Sequence, residues 1–174
     1  MALIGVLIVL SVVGTGILAR SDSGLADDEQ LRETLFGWEY SAGVEELPPV
    51  NVERVIDSDT LEVSAGGELL RVRLFGVDAP ARGEACFDVA TERLRRLAGR
   101  QVRLLHDERL TDDGGRELRY VFTPEGISLD AQLIVEGLAI AWRRDGALRD
   151  ILVALERDAA TPDCLATGST PTRA

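Results

Sequence analysis

Residues 55–81 read VIDSDTLEVSAGGELLRVRLFGVDAPA, and the alternation inside this stretch decides the fold. An apolar run, NVERVID from Asn51, stops at an acidic turn that holds Asp57 and Asp59. A second run, TLEVSAG, follows from Thr60, and Ala65-Gly66-Gly67 is a hairpin signal before a third, ELLRVRLFGVDA from Glu68. That third run carries Arg73 and ends where Asp78 meets Ala79 and Pro80. Two acidic turns therefore flank an arginine-bearing strand. Clustered carboxylate oxygens suit a hard cation and a guanidinium fork suits a phosphodiester, so the pattern points to metal and phosphate chemistry.

Working outward, a helix is predicted over residues 86–98, then strands QVRLLHD from Gln101 and ELRYVFTPEG from Glu117, the latter closed by a Pro124-Glu125-Gly126 turn. Ser128 is a good N-cap for a second helix and Gly137 a good stop; a third helix is expected from about residue 146. Five strands with a helix between the third and fourth is the order of an OB-fold barrel, an α+β domain that is mainly β and is used for nucleic-acid binding.

The chain of 174 residues is long enough for one such domain with extensions, here residues 50–165. All 19 basic residues are arginine, and the formal net charge is −11. That balance disfavours broad electrostatic adhesion to nucleic acid but leaves room for a local arginine cluster aided by a bound cation. Much of the acidity lies upstream, since residues 19–50 hold eight acids against two arginines.

Residues 2–19 are an uncharged apolar run near bilayer-spanning length, read as part of a segment 1–19 that is either a signal peptide, with Gly24 and Ala26 as a small-x-small site, or an uncleaved membrane anchor. Either reading expects an extracytoplasmic protein. Residues 20–49 read as an acidic leader with one short amphipathic segment, DDEQLRETLFGWEY, and residues 166–174 as a frayed tail. Cys86 and Cys164 have no CxxC spacing, which argues against a metal-thiolate site and leaves a single disulfide open; paired, they would close a loop worth about 4 kcal/mol in an oxidising compartment.

Four motifs in order, IDSDTLEV, RVRLFGVDAP, TDDGGRELRYVF and SLDAQLIVEGLAIAW, resemble those of the staphylococcal nuclease (thermonuclease) family over about residues 50–165. The resemblance implies an OB-fold barrel with three helices and a calcium-dependent phosphodiesterase acting on DNA and RNA, with no organic cofactor and a monomeric state. Carried onto this chain, it makes Asp59 and Asp78 calcium carboxylates, the Ala79 carbonyl a third protein oxygen and Asp57 a supporting carboxylate. Arg73 would bind the scissile phosphate and stabilise its growing charge, with Arg116 as the second clamp near the leaving oxygen. The family reads Asp-x-Pro-Glu where this chain has Asp78-Ala79-Pro80-Ala81. A missing water-activating glutamate costs roughly a hundred- to ten-thousand-fold in rate, unless Glu84 substitutes for it. Asp113 and Gly114 also stand where many relatives have a basic residue and a tyrosine.

Blander readings stand beside these. Asp-x-Asp at a strand end is usually a solvated turn, Arg73 has Glu62 or Asp78 as candidate partners across the sheet, and Arg116 can be a plain loop charge. The arginines between 93 and 103 read as a solvated face, His106 as structural, and Trp142 as a core or rim aromatic. The alternative to an enzyme is an inactive barrel module that binds calcium, nucleic acid or a protein partner.

Overall fold

A computed structural model describes residues 43–166. The apolar segment 1–19, most of the acidic leader with its amphipathic segment, and nearly all of the tail lie outside the described residues. Five strands, β1 (Val50–Val55), β2 (Thr60–Ala65), β3 (Glu68–Leu74), β5 (Gln101–Leu105) and β6 (Glu117–Phe122), form a closed barrel in the order β1-β2-β3-β6-β5. All pairings are antiparallel except β3 with β6. The β2–β3 hairpin turns on Gly66 and Gly67, both at positive φ, the conformation that a tight two-residue turn demands. The expected barrel is the observed one.

Four helical segments complete the unit: α1 (Phe87–Ala98), α2 (Leu129–Val135), α3 (Arg149–Glu156) and the short α4 (Asp163–Ala166). On α1 the buried residues Phe87, Ala90, Leu94 and Ala98 recur at helical spacing and face the barrel, while Arg95 and Arg96 pair with Glu92 on the outer face. Ser128 caps α2 by accepting from the Ala131 N–H. Gly137 ends it at φ 68°, and a Cβ there would lie 2.0 Å from the Ala160 carbonyl oxygen, so shape and conformation both demand glycine. The third helix begins at Arg149 rather than near 146, because Gly146 takes φ 112° against the Tyr120 hydroxyl.

One expected element divides. The run from Glu68 to Ala79 is not a single strand: β3 stops at Leu74, and Val77–Asp78 forms a separate strand, β4, paired with β7 (Ile140–Ala141). The break is set by Gly76, whose N–H donates to the Asp130 carboxylate at 2.8 Å and whose missing Cβ would lie 2.3 Å from Leu152. The packed unit also takes in residues upstream of Val50. Val44 is buried in the core, and the Arg103 guanidinium donates to the carbonyls of Glu45, Leu47 and Pro124.

Cys86 and Cys164 are joined, with 5.3 Å between their Cα atoms, and the bridge ties the start of α1 to α4. Cys164 thus sits on its own helical turn, beyond the last long helix. Replacing Cys164 with serine is expected to lower stability by about 2–4 kcal/mol, read as a lower urea midpoint with a steeper slope, because the unfolded chain loses its cross-link and expands.

Asp130 is fully buried and accepts from the backbone N–H groups of Gly76 and Val121 at 2.8 and 3.1 Å. Burial pushes its pKa up to about 6, from an ordinary value of 3.8, although these hydrogen bonds pull it down. The folded chain therefore holds a proton that the unfolded chain has released. The stabilisation from this residue is complete below pH 3.8 and is lost as pH rises through about 6, a swing on the order of 3 kcal/mol. Subtracting the stability of Asp130→Asn from that of the parent, measured by urea unfolding from pH 3.5 to 7, should show this fall; a flat difference would contradict it.

Candidate active site

The β2–β3 register sets Thr60 opposite Arg73, which brings the acidic turn at the start of β2 against the end of β3. The Leu74 N–H donates to the Asp59 carbonyl at 2.8 Å and fixes that approach. The Arg73 Nη2 then lies 3.1 Å from Asp59 Oδ2 and 3.9 Å from Asp78 Oδ1, so both acidic turns reach one guanidinium. Glu62, the other partner open to Arg73, is instead paired with Arg54.

Arg116 comes from the loop ahead of β6. Asp112 shapes that loop, its carboxylate accepting from the backbone N–H groups of Gly114 and Arg116 at 2.9 and 2.8 Å and from the Arg116 Nε at 2.6 Å. The free edge of the Arg116 fork is thereby aimed at Thr60 Oγ1, 3.2 Å away, and at Asp59 Oδ1, 3.8 Å away. Partial burial of Asp112 acts upward on its pKa, but the Arg116 backbone and guanidinium outweigh it and hold the carboxyl below the usual range.

Asp59 is therefore the centre of the arrangement. Its side chain is 13% exposed, with Arg73 and Arg116 on different oxygens and the Thr60 hydroxyl donating to Oδ1 at 2.7 Å. Burial pushes its pKa up, and the neighbouring Arg73 only partly opposes this. Behind it, Asp57 Oδ1 accepts the Asp59 N–H at 3.2 Å. Ser58, buried between them, donates to the Pro80 carbonyl at 2.6 Å and staples the first acidic turn to the second.

The four residues on which the sequence reading depended, Asp59, Asp78, Arg73 and Arg116, thus meet at one end of the barrel, with Asp57 and Ala79 in the turns that carry them. Glu84 is held close to Ala81: its carboxylate accepts the Ala81 N–H at 2.7 Å while its own N–H donates to the Ala81 carbonyl at 2.9 Å. Asp78, Ala79, Pro80, Ala81 and Glu84 line part of a cavity of about 470 Å³, floored by Leu138 and Ala139. Among the described residues, no three His, Cys, Asp or Glu side chains gather as a metal cage, so a cation here would need backbone oxygen as well.

Ser58 and Asp112 escaped the sequence reading. The Asx pattern Asp112-x-Gly114 was a usable signal for the loop; nothing local to Ser58 announces a partner 22 residues away. The arginines between 93 and 103 do not form a patch: Arg93 pairs with Glu136, Arg95 and Arg96 with Glu92, and Arg103 with carbonyls.

A closed five-stranded barrel that gathers two arginines around one largely buried aspartate is an OB-fold domain with a charged site. The sequence profile described as "Staphylococcal nuclease homologue" matches residues 71–162, and the chain belongs to that family. It is 34% identical over 107 residues to a micrococcal nuclease of Shigella flexneri, covering 57% of this chain and 61% of that protein. It is 35% identical over 100 residues to a thermonuclease of Staphylococcus intermedius, at 52% and 57% coverage, and 32% identical over 117 residues to protein ParB of Escherichia coli, at 62% and 66%. The chain thus spans about three-fifths of the length of these relatives.

If Ser58 is the staple between the two turns, Ser58→Ala should lower stability by about 1–3 kcal/mol, because the Pro80 carbonyl loses a buried donor. Thermal unfolding at fixed pH checks this, and an unchanged midpoint would deny the staple any energetic role.

Proposed function

We propose that the chain is a slow, calcium-dependent phosphodiesterase acting on DNA and RNA. The observation that carries this reading is the convergence of Arg73 and Arg116 on Asp59, with Asp78 within reach of the same Arg73 nitrogen. Two guanidinium forks gathered at a carboxylate pair suit a phosphate whose remaining charge a cation shares.

The donor set fits calcium: the carboxylates of Asp59 and Asp78 and the carbonyl of Ala79 are hard oxygens in neighbouring turns, and Asp57 supports Asp59 from behind. Bound there, calcium would supply positive charge against the phosphate and lower the pKa of an adjacent water. Arg73 is preset by Asp59 and by the Trp142 ring, 5.6 Å from its guanidinium carbon, and Arg116 by Asp112. Both forks are therefore positioned before substrate arrives, which is what stabilisation of developing charge requires.

The weak point is the base. Ala81 can neither orient nor deprotonate water, and Glu84 is the nearest carboxylate in its loop, bonded to the Ala81 N–H. In this reading Glu84 releases that N–H and orients the attacking water, at a cost in rate. A second reading, a barrel that binds calcium, nucleic acid or a protein partner without cutting, is favoured by the same bond, because one oxygen of the substitute carboxylate, Glu84, is committed to closing its own turn. The Cys86–Cys164 bridge supports an extracytoplasmic location for either form. Residues 2–19 would serve there as signal or membrane anchor, and the soluble unit is read as a monomer.

Purified protein incubated with single-stranded DNA and calcium should cleave slowly. Arg73→Ala should lose at least about 100-fold, Ala81→Glu should gain about 100-fold, and Glu84→Gln should be slower than the parent. Cleavage no faster than Arg73→Ala would end the enzyme reading; a Glu84→Gln rate equal to the parent would end the role of Glu84.

A further inference from the structure

Three arginines crowd one indole. Trp142 follows β7, and its backbone N–H donates to the Gly76 carbonyl at 2.8 Å, which seats the ring beside the end of β3. Its Nε1–H donates to Asp145 Oδ1 at 2.7 Å and locks the ring. The guanidinium carbons of Arg73, Arg109 and Arg144 lie 5.6, 5.8 and 5.2 Å from the ring centroid, all within cation–π range.

Their charges are not equivalent. Arg73 is paired with Asp59, and Arg109 is held by two hydrogen bonds to Asp145. Arg144 is exposed and makes no ion pair among the described residues, and the nearby Asp145 that feels its charge is already committed to Arg109. In a chain of net charge −11, whose arginines mostly face a carboxylate, this is an uncompensated cation held next to the site. Since Arg73 and Arg144 both lie within 6 Å of one ring centre, their guanidinium carbons are no more than about 11 Å apart. That ceiling leaves neighbouring phosphates of one strand within reach of both side chains. In the Arg116 loop, Asp112 is already paired with Arg116, and the exposed Asp113 repels a phosphate.

We propose that Arg144, shelved on Trp142, receives the phosphate adjoining the one held at Arg73 and Arg116, so that a single strand leaves the site toward Arg144 and away from Asp113. Trp142 acts as a shelf for cations, not as a face for a base. This assignment rests on the phosphodiesterase reading above, and Arg144 is a positioning residue with no part in the chemistry.

The test is binding of a fluorescent single-stranded oligonucleotide to the full chain with calcium, across a range of salt, in an Arg73-intact background. Each phosphate contact contributes about 0.7 to the slope of log affinity against log salt on single strands. Arg144→Ala should lower the slope magnitude by about that amount, Arg144→Lys should retain it, and Arg100→Ala, an exposed arginine at the α1–β5 turn, should leave it unchanged. In cleavage, Arg144→Ala should raise KM for the oligonucleotide severalfold and leave kcat, and the hydrolysis of a mononucleotide diester, as in the parent. An unchanged slope in Arg144→Ala, or an equal loss in Arg100→Ala, overturns the assignment alone. Absence of binding by the parent overturns the nucleic-acid reading and this assignment with it.

Discussion

The architecture depends on one buried carboxylate. Asp130, on α2, accepts the N–H of Gly76 with one oxygen and that of Val121 with the other, and so fastens the bend after β3 and the end of β6 to the helix. That anchor and the close approach of Leu152 to Gly76 interrupt the run from Glu68 to Asp78. There the backbone turns at a glycine that has no room for a side chain, and Val77 and Asp78 leave the barrel to pair with β7. Burying a carboxylate is costly, and burial raises the pKa of Asp130 despite the hydrogen bonds that oppose it. The return is geometric, because only a bend at this point swings Asp78 back toward Arg73.

The candidate site is a consequence of that bend. Asp59 lies at the mouth of the barrel because the β2–β3 register puts it there, and Asp78 is brought beside it by β4 and the Ser58–Pro80 hydrogen bond. The two arginines enter from different elements and meet on different oxygens of Asp59. A buried aspartate between two guanidinium groups would ordinarily sit well below its usual pKa; here desolvation is the larger influence and pushes it upward. A buried carboxylate whose ionised form is disfavoured gains more than a solvated one from a further positive charge.

Much of the fold was legible beforehand because its signals are local. Paired glycines at 66 and 67, the Ser128 cap, the Gly137 stop and the alternation of β1 to β3 each depend on residues a few positions apart, and all lie where periodicity placed them. The unbroken third strand was the error, since Phe75-Gly76-Val77 is a good strand sequence and the reason for its interruption lies 54 residues away in Asp130. The packing of Val44 and the reach of Arg103 to Glu45 and Leu47 were equally invisible, because they join segments more than 50 residues apart.

By itself the sequence determined which residues could do phosphate and cation chemistry: two acidic turns, two arginines placed among strands, and an alanine where a water-activating glutamate is expected. These are matters of side-chain identity and of order along the chain. The tertiary structure alone decided that Arg73 faces Asp59 and not Glu62, that Asp112 aims Arg116, that Glu84 closes its own loop, and that Trp142 gathers Arg73, Arg109 and Arg144. Each of these depends on which distant segments the closed barrel and its helices bring within hydrogen-bonding range, a property of closure that no local window contains.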